Sequence, residues 1–76
     1  MITLQEYANK INDLLAQGYG LLPVIYNCNC DGYVEPDDYY EIKNLPCEFK
    51  VDDLSAYFLT KSSIQTKENI NCILIN

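Results

Sequence analysis

Thr3-Leu4-Gln5-Glu6-Tyr7-Ala8-Asn9-Lys10-Ile11-Asn12-Asp13-Leu14-Leu15-Ala16-Gln17 spells an amphipathic helix with both of its ends marked. Thr3 is a good N-cap, and Glu6 falls three residues later at capping-box spacing. Ile2 and Tyr7 flank that cap as a hydrophobic staple would. Leu4, Tyr7, Ala8, Ile11, Leu14 and Leu15 recur at helical spacing and predict one buried face. Gln5, Asn9, Lys10, Asn12, Asp13 and Gln17 fill the other side. Gly18 and Gly20 bracket Tyr19 and can supply a left-handed C-cap. The spacing therefore predicts a helix over residues 3–17.

Downstream of the helix the pattern changes to short extended runs. Leu21-Leu22-Pro23-Val24-Ile25-Tyr26-Asn27-Cys28 is rich in β-branched and aromatic residues, and Pro23 belongs at a strand start or an open edge. Asn29-Cys30-Asp31-Gly32 reads as a turn, and Glu35-Pro36-Asp37-Asp38 as a loop. Tyr39-Tyr40-Glu41-Ile42-Lys43 reads as a strand closed by Asn44-Leu45-Pro46. Cys47-Glu48-Phe49-Lys50-Val51 alternates, with Cys47, Phe49 and Val51 on one face and Glu48 and Lys50 on a wet one. In Asp52-Asp53-Leu54-Ser55-Ala56-Tyr57-Phe58-Leu59, Asp53 could cap a short helix, or the segment could pair back as a strand. Residues 61–69 read as a polar connector that could be partly strand. Ile70-Asn71-Cys72-Ile73-Leu74-Ile75 is apolar on both faces after Asn71, as a central or covered strand would be. The expected architecture is α+β: a single domain over residues 1–76, with one N-terminal amphipathic helix packed on a small antiparallel β-sheet of three to five strands.

Composition narrows the chemistry. The 76 residues include 11 acids and 5 basic residues, all lysine, for a net charge of −6 and no His. Without His, the commonest general base and every Ser-His or Cys-His nucleophile pair are missing. Without Arg, the bidentate fork that reads guanine and clamps phosphate is missing. Paired acids such as Asp37 and Glu41, or Cys30 as a nucleophile, have no activating base in sequence reach, and no Gly-rich phosphate loop occurs. The chain reads as a non-enzyme that does not bind nucleic acid directly. No apolar stretch approaches a membrane span and the N-terminus lacks signal-peptide character, so the expectation is a cytoplasmic protein with reduced thiols.

Charge is unevenly placed. Asp31, Glu35, Asp37, Asp38, Glu41, Glu48, Asp52 and Asp53 stand against Lys43 and Lys50, so eight acids against two lysines leave −6, the whole excess of the chain. Tyr33, Tyr39 and Tyr40 lie in the same stretch. Such a segment either keeps a small protein soluble or docks a basic partner, with carboxylates steering the encounter and tyrosines anchoring it. Against a nucleic-acid enzyme, the same carboxylates would imitate a phosphate backbone.

Two constellations resemble metal sites. Asn27, Asn29 and Asp31, with Gly32, Val34 and Glu35, follow part of a calcium-loop pattern. Asp38 replaces its bidentate Glu, however, and Pro36 stiffens the exit. Cys28, Cys30, Cys47 and Cys72 could supply four thiolates to zinc, yet only Cys28 and Cys30 are close in sequence. Cys47 and Cys72 equally suit apolar strand positions. The main reading therefore assigns no metal and no cofactor, and keeps a zinc or calcium module as its alternative.

The capped helix, Leu22-Pro23-Val24-Ile25-Tyr26, Asp31-Gly32 and Glu35-Pro36-Asp37-Asp38 together resemble small accessory proteins of tailed bacteriophages. In size and acidity the chain also looks like the small acidic anti-defence proteins of phages, anti-CRISPR proteins among them. The resemblance implies a stoichiometric inhibitor in the host cytoplasm that occupies a basic host protein, such as a CRISPR-Cas or other nucleic-acid-binding complex. It carries over no site residue. A further alternative is a structural subunit of a homo-oligomer, a homodimer included, with Ile70–Ile75 or Tyr57-Phe58-Leu59 supplying the buried surface.

Overall fold

The computed structural model describes residues 1–27, 39 and 41–75. Helix α1 spans Leu4–Ala16, with Thr3 as N-cap and Gln17 as C-cap. The Thr3 hydroxyl accepts from the Glu6 N–H at 3.1 Å and sits 3.3 Å from the Glu6 carboxylate, so both partners of the expected cap are engaged. At the other end Gly18 takes φ +91°, where a side chain would be strained. The Gly18 and Tyr19 N–H groups donate to Leu15 O (3.0 Å) and Leu14 O (3.2 Å). This is a Schellman motif, which satisfies carbonyls the helix would otherwise leave without partners.

Three short strands follow: β1 (Val24–Tyr26), β2 (Cys47–Phe49) and β3 (Cys72–Ile75), in the order β1-β3-β2. A one-turn 3₁₀ segment, Lys67–Asn69, leads into β3. The fold is α+β, with one helix and a three-stranded sheet. The sheet is mixed, however, and not antiparallel throughout. Strand β3 pairs antiparallel with β2 (Glu48 opposite Ile73) and parallel with β1 (Val24 opposite Ile73). The apolar pattern of β3 rightly placed it at the centre, where both of its edges are taken. Pro23 marks the start of β1; it needs no N–H there, and its carbonyl accepts from Ile73 N–H at 2.9 Å. The strand expected over residues 39–43 does not form among its described members, Tyr39, Glu41, Ile42 and Lys43. Glu41, Ile42 and Lys43 instead line a cleft with Met1, Ile2 and Glu6 beside the start of α1.

Paired residues point the same way, so Val24, Ile73 and Glu48 share one face, and Ile25, Leu74, Cys47, Cys72 and Phe49 share the other. Helix α1 covers the first of these faces. Ile11, Leu14 and Leu15 line a gap of about 150 Å³ with Tyr19, Leu22, Val24 and Ile73, and Lys Nζ of residue 10 lies 3.7 Å from the Glu48 carboxylate. The helix thus sits on the Glu48 side of β2, the side expected to face water, and Lys10 supplies the countercharge that allows it. The buried helical stripe is also narrower than expected. Leu14 is buried, Tyr7, Ala8 and Ile11 are half-buried, and Leu4 and Leu15 stay exposed. A 13-residue helix is about 20 Å long, whereas three strands span only about 10 Å across, so the sheet cannot cover both helix ends. Among the described apolar side chains, Leu14, Pro46, Val51, Cys72 and Ile73 form the core.

On the opposite face the chain folds back on itself after β2. Val51 and Lys61 form an isolated antiparallel bridge, and Val51 is buried. Side-chain amides then take over the work of a ladder. Asn71 Oδ1 accepts from Val51 N–H (3.1 Å) while its Nδ2 donates to Val51 O (3.0 Å). Gln65 does the same for Lys50, accepting from its N–H at 2.9 Å and donating to its carbonyl at 2.7 Å.

Candidate functional site

The acidic and tyrosine-rich stretch is described in part. Asp31, Tyr33, Glu35, Asp37, Asp38 and Tyr40 lie outside the described residues, as do Cys28, Cys30 and all of the calcium-like loop after Asn27. Tyr39 is fully open to solvent and Glu41 is exposed, the latter beside the helix start. Asp52 and Asp53 are exposed at the head of the segment that follows Val51. Glu48 differs from the rest. It is half-buried and sits on the helix side of the sheet, where Lys10 offsets its charge. The structure therefore keeps Asp52 and Asp53 together, places Glu41 at the helix start, and withdraws Glu48 into an ion pair.

Asp53 has a fixed orientation. Its carboxylate accepts from the Ser55 N–H at 2.9 Å and from the Ser55 hydroxyl at 2.7 Å. Those bonds stabilise the ionised form, so the Asp53 carboxyl titrates below its ordinary value. Asp52 anchors the loop through its backbone, donating to Thr60 O at 2.9 Å. The stretch 52–59, readable as helix or strand, is neither: it is a chain of turns and bends.

The thiols behave as strand residues. Cys72 is wholly buried and its Sγ lies 3.4 Å from Phe49 O. Burial pushes the Cys72 thiol up, with the nearby Lys50 charge only partly opposing it. Cys47 is half-buried on the same sheet face. Among the described residues, no three metal-binding side chains come together, and no helix is long and apolar enough to cross a membrane.

Two further features involve none of the acidic residues. One is a groove of about 240 Å³ on the face away from the helix, lined by Ile25, Phe49, Val51, Leu59 and Leu74, with Lys61 at its rim. Lys61 Nζ stands 5.9 Å from the centre of the Phe49 ring, within cation–π range. The other is Tyr57 and Phe58, which are 93% and 81% exposed. The sequence offers Tyr57-Phe58-Leu59 as a surface for self-association, whereas nothing in it signals the groove.

Comparison of the chain with protein-family models, with curated proteins and with solved structures finds no match.

Proposed function

We propose that this protein acts by stoichiometric binding, without catalysis, and docks on a basic protein through exposed carboxylates and tyrosines. The observation that carries the reading is charge placement: the whole excess of −6 arises between Asp31 and Asp53. Like charges so crowded repel one another and weaken a fold, a cost that attraction to a positively charged partner offsets. The exposure of Tyr39, Glu41, Asp52 and Asp53 supports it, since these groups are free to meet another surface. In its fuller form the proposal is a phage-type inhibitor of a host nucleic-acid-handling protein, whose lysine- and arginine-lined groove it fills in place of phosphates.

The test is association kinetics against nucleic-acid-binding proteins of the natural host. Reversal of Asp37, Asp38 and Glu41 to Lys should slow association at least about tenfold, and raised salt should do the same to the unaltered chain. On-rates that ignore both treatments would remove the proposal.

A further inference from the structure

Between Val51 and Lys61 the chain leaves the body of the protein and returns through a tightly closed neck. Asp52 N–H donates to Thr60 O at 2.9 Å and Ser62 N–H donates to Lys50 O at 3.0 Å, on either side of the Val51–Lys61 bridge. The Gln65 amide clamps Lys50 from outside, and its Nε2 also reaches Ser62 O at 3.0 Å. Val51 and Ser62 are buried, so the root of the loop is part of the core. Beyond the neck, the Asp53–Ser55 bonds and the Ala56 N–H to Asp53 O bond at 3.3 Å fix the first half of the loop.

At the tip stand Tyr57 and Phe58. Their rings meet edge to face, with centroids 4.8 Å apart and planes at 90°. They hold one another in place and still present nearly all of their surface to water. An aromatic pair that is ordered before it meets anything loses little freedom on binding, which is what an interface anchor requires.

We propose that loop 52–60 is the anchor of the docking surface: the Tyr57–Phe58 pair enters an apolar pocket on a protein partner, and Asp52 and Asp53 pair with lysines or arginines on the rim of that pocket. This rests on the reading of the chain as a binder of basic proteins and names the point of attachment. Charge selects the occupant. A second copy brings another −6, a repulsion that the single Lys61 at the edge of its apolar groove offsets only in part. An anionic membrane repels the loop for the same reason. A basic protein surface satisfies both the rings and the carboxylates without that repulsion.

The experiment uses two defined probes, an amphipathic peptide of leucine and lysine and a plain oligolysine, titrated against the full chain. The chain should bind the leucine-lysine peptide more tightly than oligolysine. The Tyr57→Ser/Phe58→Ser variant should lose about tenfold or more toward the amphipathic peptide and keep its oligolysine affinity. Both rings are exposed, so this variant should melt where the parent does. The single variants Tyr57→Ser and Phe58→Ser, each expected to give part of the loss, serve if the double one melts lower. Equal affinity of parent and variant for the amphipathic peptide would overturn the anchor and leave the acidic reading standing. Failure of the unaltered chain to bind either peptide would overturn both. Self-association or binding to phosphatidylcholine vesicles that Phe58→Ser abolishes would assign the loop to a second copy or a lipid surface, and overturn the anchor as well.

Discussion

On the helix side of the sheet, Ile11 and Leu14 lie against Val24 and Ile73, and Lys10 pairs with Glu48. On the other side, Val51 and Cys72 are buried near Phe49 and Leu74, and Asn71 and Gln65 add hydrogen bonds from their side-chain amides to the backbone of Val51 and Lys50. One side is held by removing apolar surface from water, a force that needs only rough shape and volume. The other adds to such burial hydrogen bonds whose loss leaves buried groups without partners, a force that tolerates no change of atom type. The second arrangement suits a region whose task is to hold a loop in one position. A small chain with little core can still fix such a loop, provided the amides are placed correctly.

Substitutions on the two sides should fail in different ways. The largest effect is expected from Ile73→Ala, which leaves a cavity at the middle of the central strand and should cost about 3 kcal/mol in urea unfolding. Because a domain this small is worth only about 4–11 kcal/mol in all, the variant should be close to unfolding at body temperature. Asn71→Ala should cost about 2 kcal/mol by leaving the Val51 N–H and carbonyl unsatisfied. Asn71→Asp should recover only part of that, since it keeps the acceptor and loses the donor. An Asn71→Ala variant as stable as the parent would erase the contrast between the two sides. Lys10→Met should change stability by no more than about 1 kcal/mol, with the difference shrinking as salt is raised, because the pair is partly solvated.

The smallest effect concerns Asp53. Its carboxyl titrates below the unfolded value because Ser55 bonds the ionised form. The stabilisation is therefore present above the ordinary carboxylate range and disappears as pH falls through the depressed folded value. Ser55→Ala should move the Asp53 titration, followed by NMR, back up toward the ordinary value while leaving the Ile73 environment unaltered.

What could be read from sequence follows the same division. Thr3, Glu6 and Gly18 act through neighbours a few residues away, so the helix and both caps were legible. The run Cys72–Ile75 lacks a polar face, and that placed β3 at the centre. Alternation is blind to direction, so nothing in Val24-Ile25-Tyr26 told parallel from antiparallel pairing with β3. The same alternation put Glu48 on the wet side of β2; the apolar seat that Val24 and Ile73 offer Ile11 and Leu14 brings the helix there, and Lys10 offsets the Glu48 charge. Tyr39, Glu41, Ile42 and Lys43 have strand-like composition, but Glu41, Ile42 and Lys43 lie with Met1, Ile2 and Glu6 beside the helix start, away from the sheet ladder. Gln65 and Asn71 sit in a polar connector and just before a strand, where an amide that binds a distant backbone looks like any surface residue. Of the candidate docking residues, the exposure of Asp52 and Asp53 was foreseeable from charge and Tyr57-Phe58-Leu59 was readable as an interaction surface, whereas its place at a loop tip required knowing that residues 52–59 are neither helix nor strand.

The order β1-β3-β2 also bears on how the protein comes into being. Strands β1 and β2 each pair with β3, and the neck of the aromatic loop depends on Asn71 just ahead of it. During synthesis on the ribosome, the chain up to residue 70 can therefore form only its local parts, the helix and the turn between residues 50 and 65, while the sheet waits. The sheet should then close and Asn71 lock the neck once the Cys72–Ile75 segment leaves the exit tunnel, in a single late step governed by contacts distant in sequence.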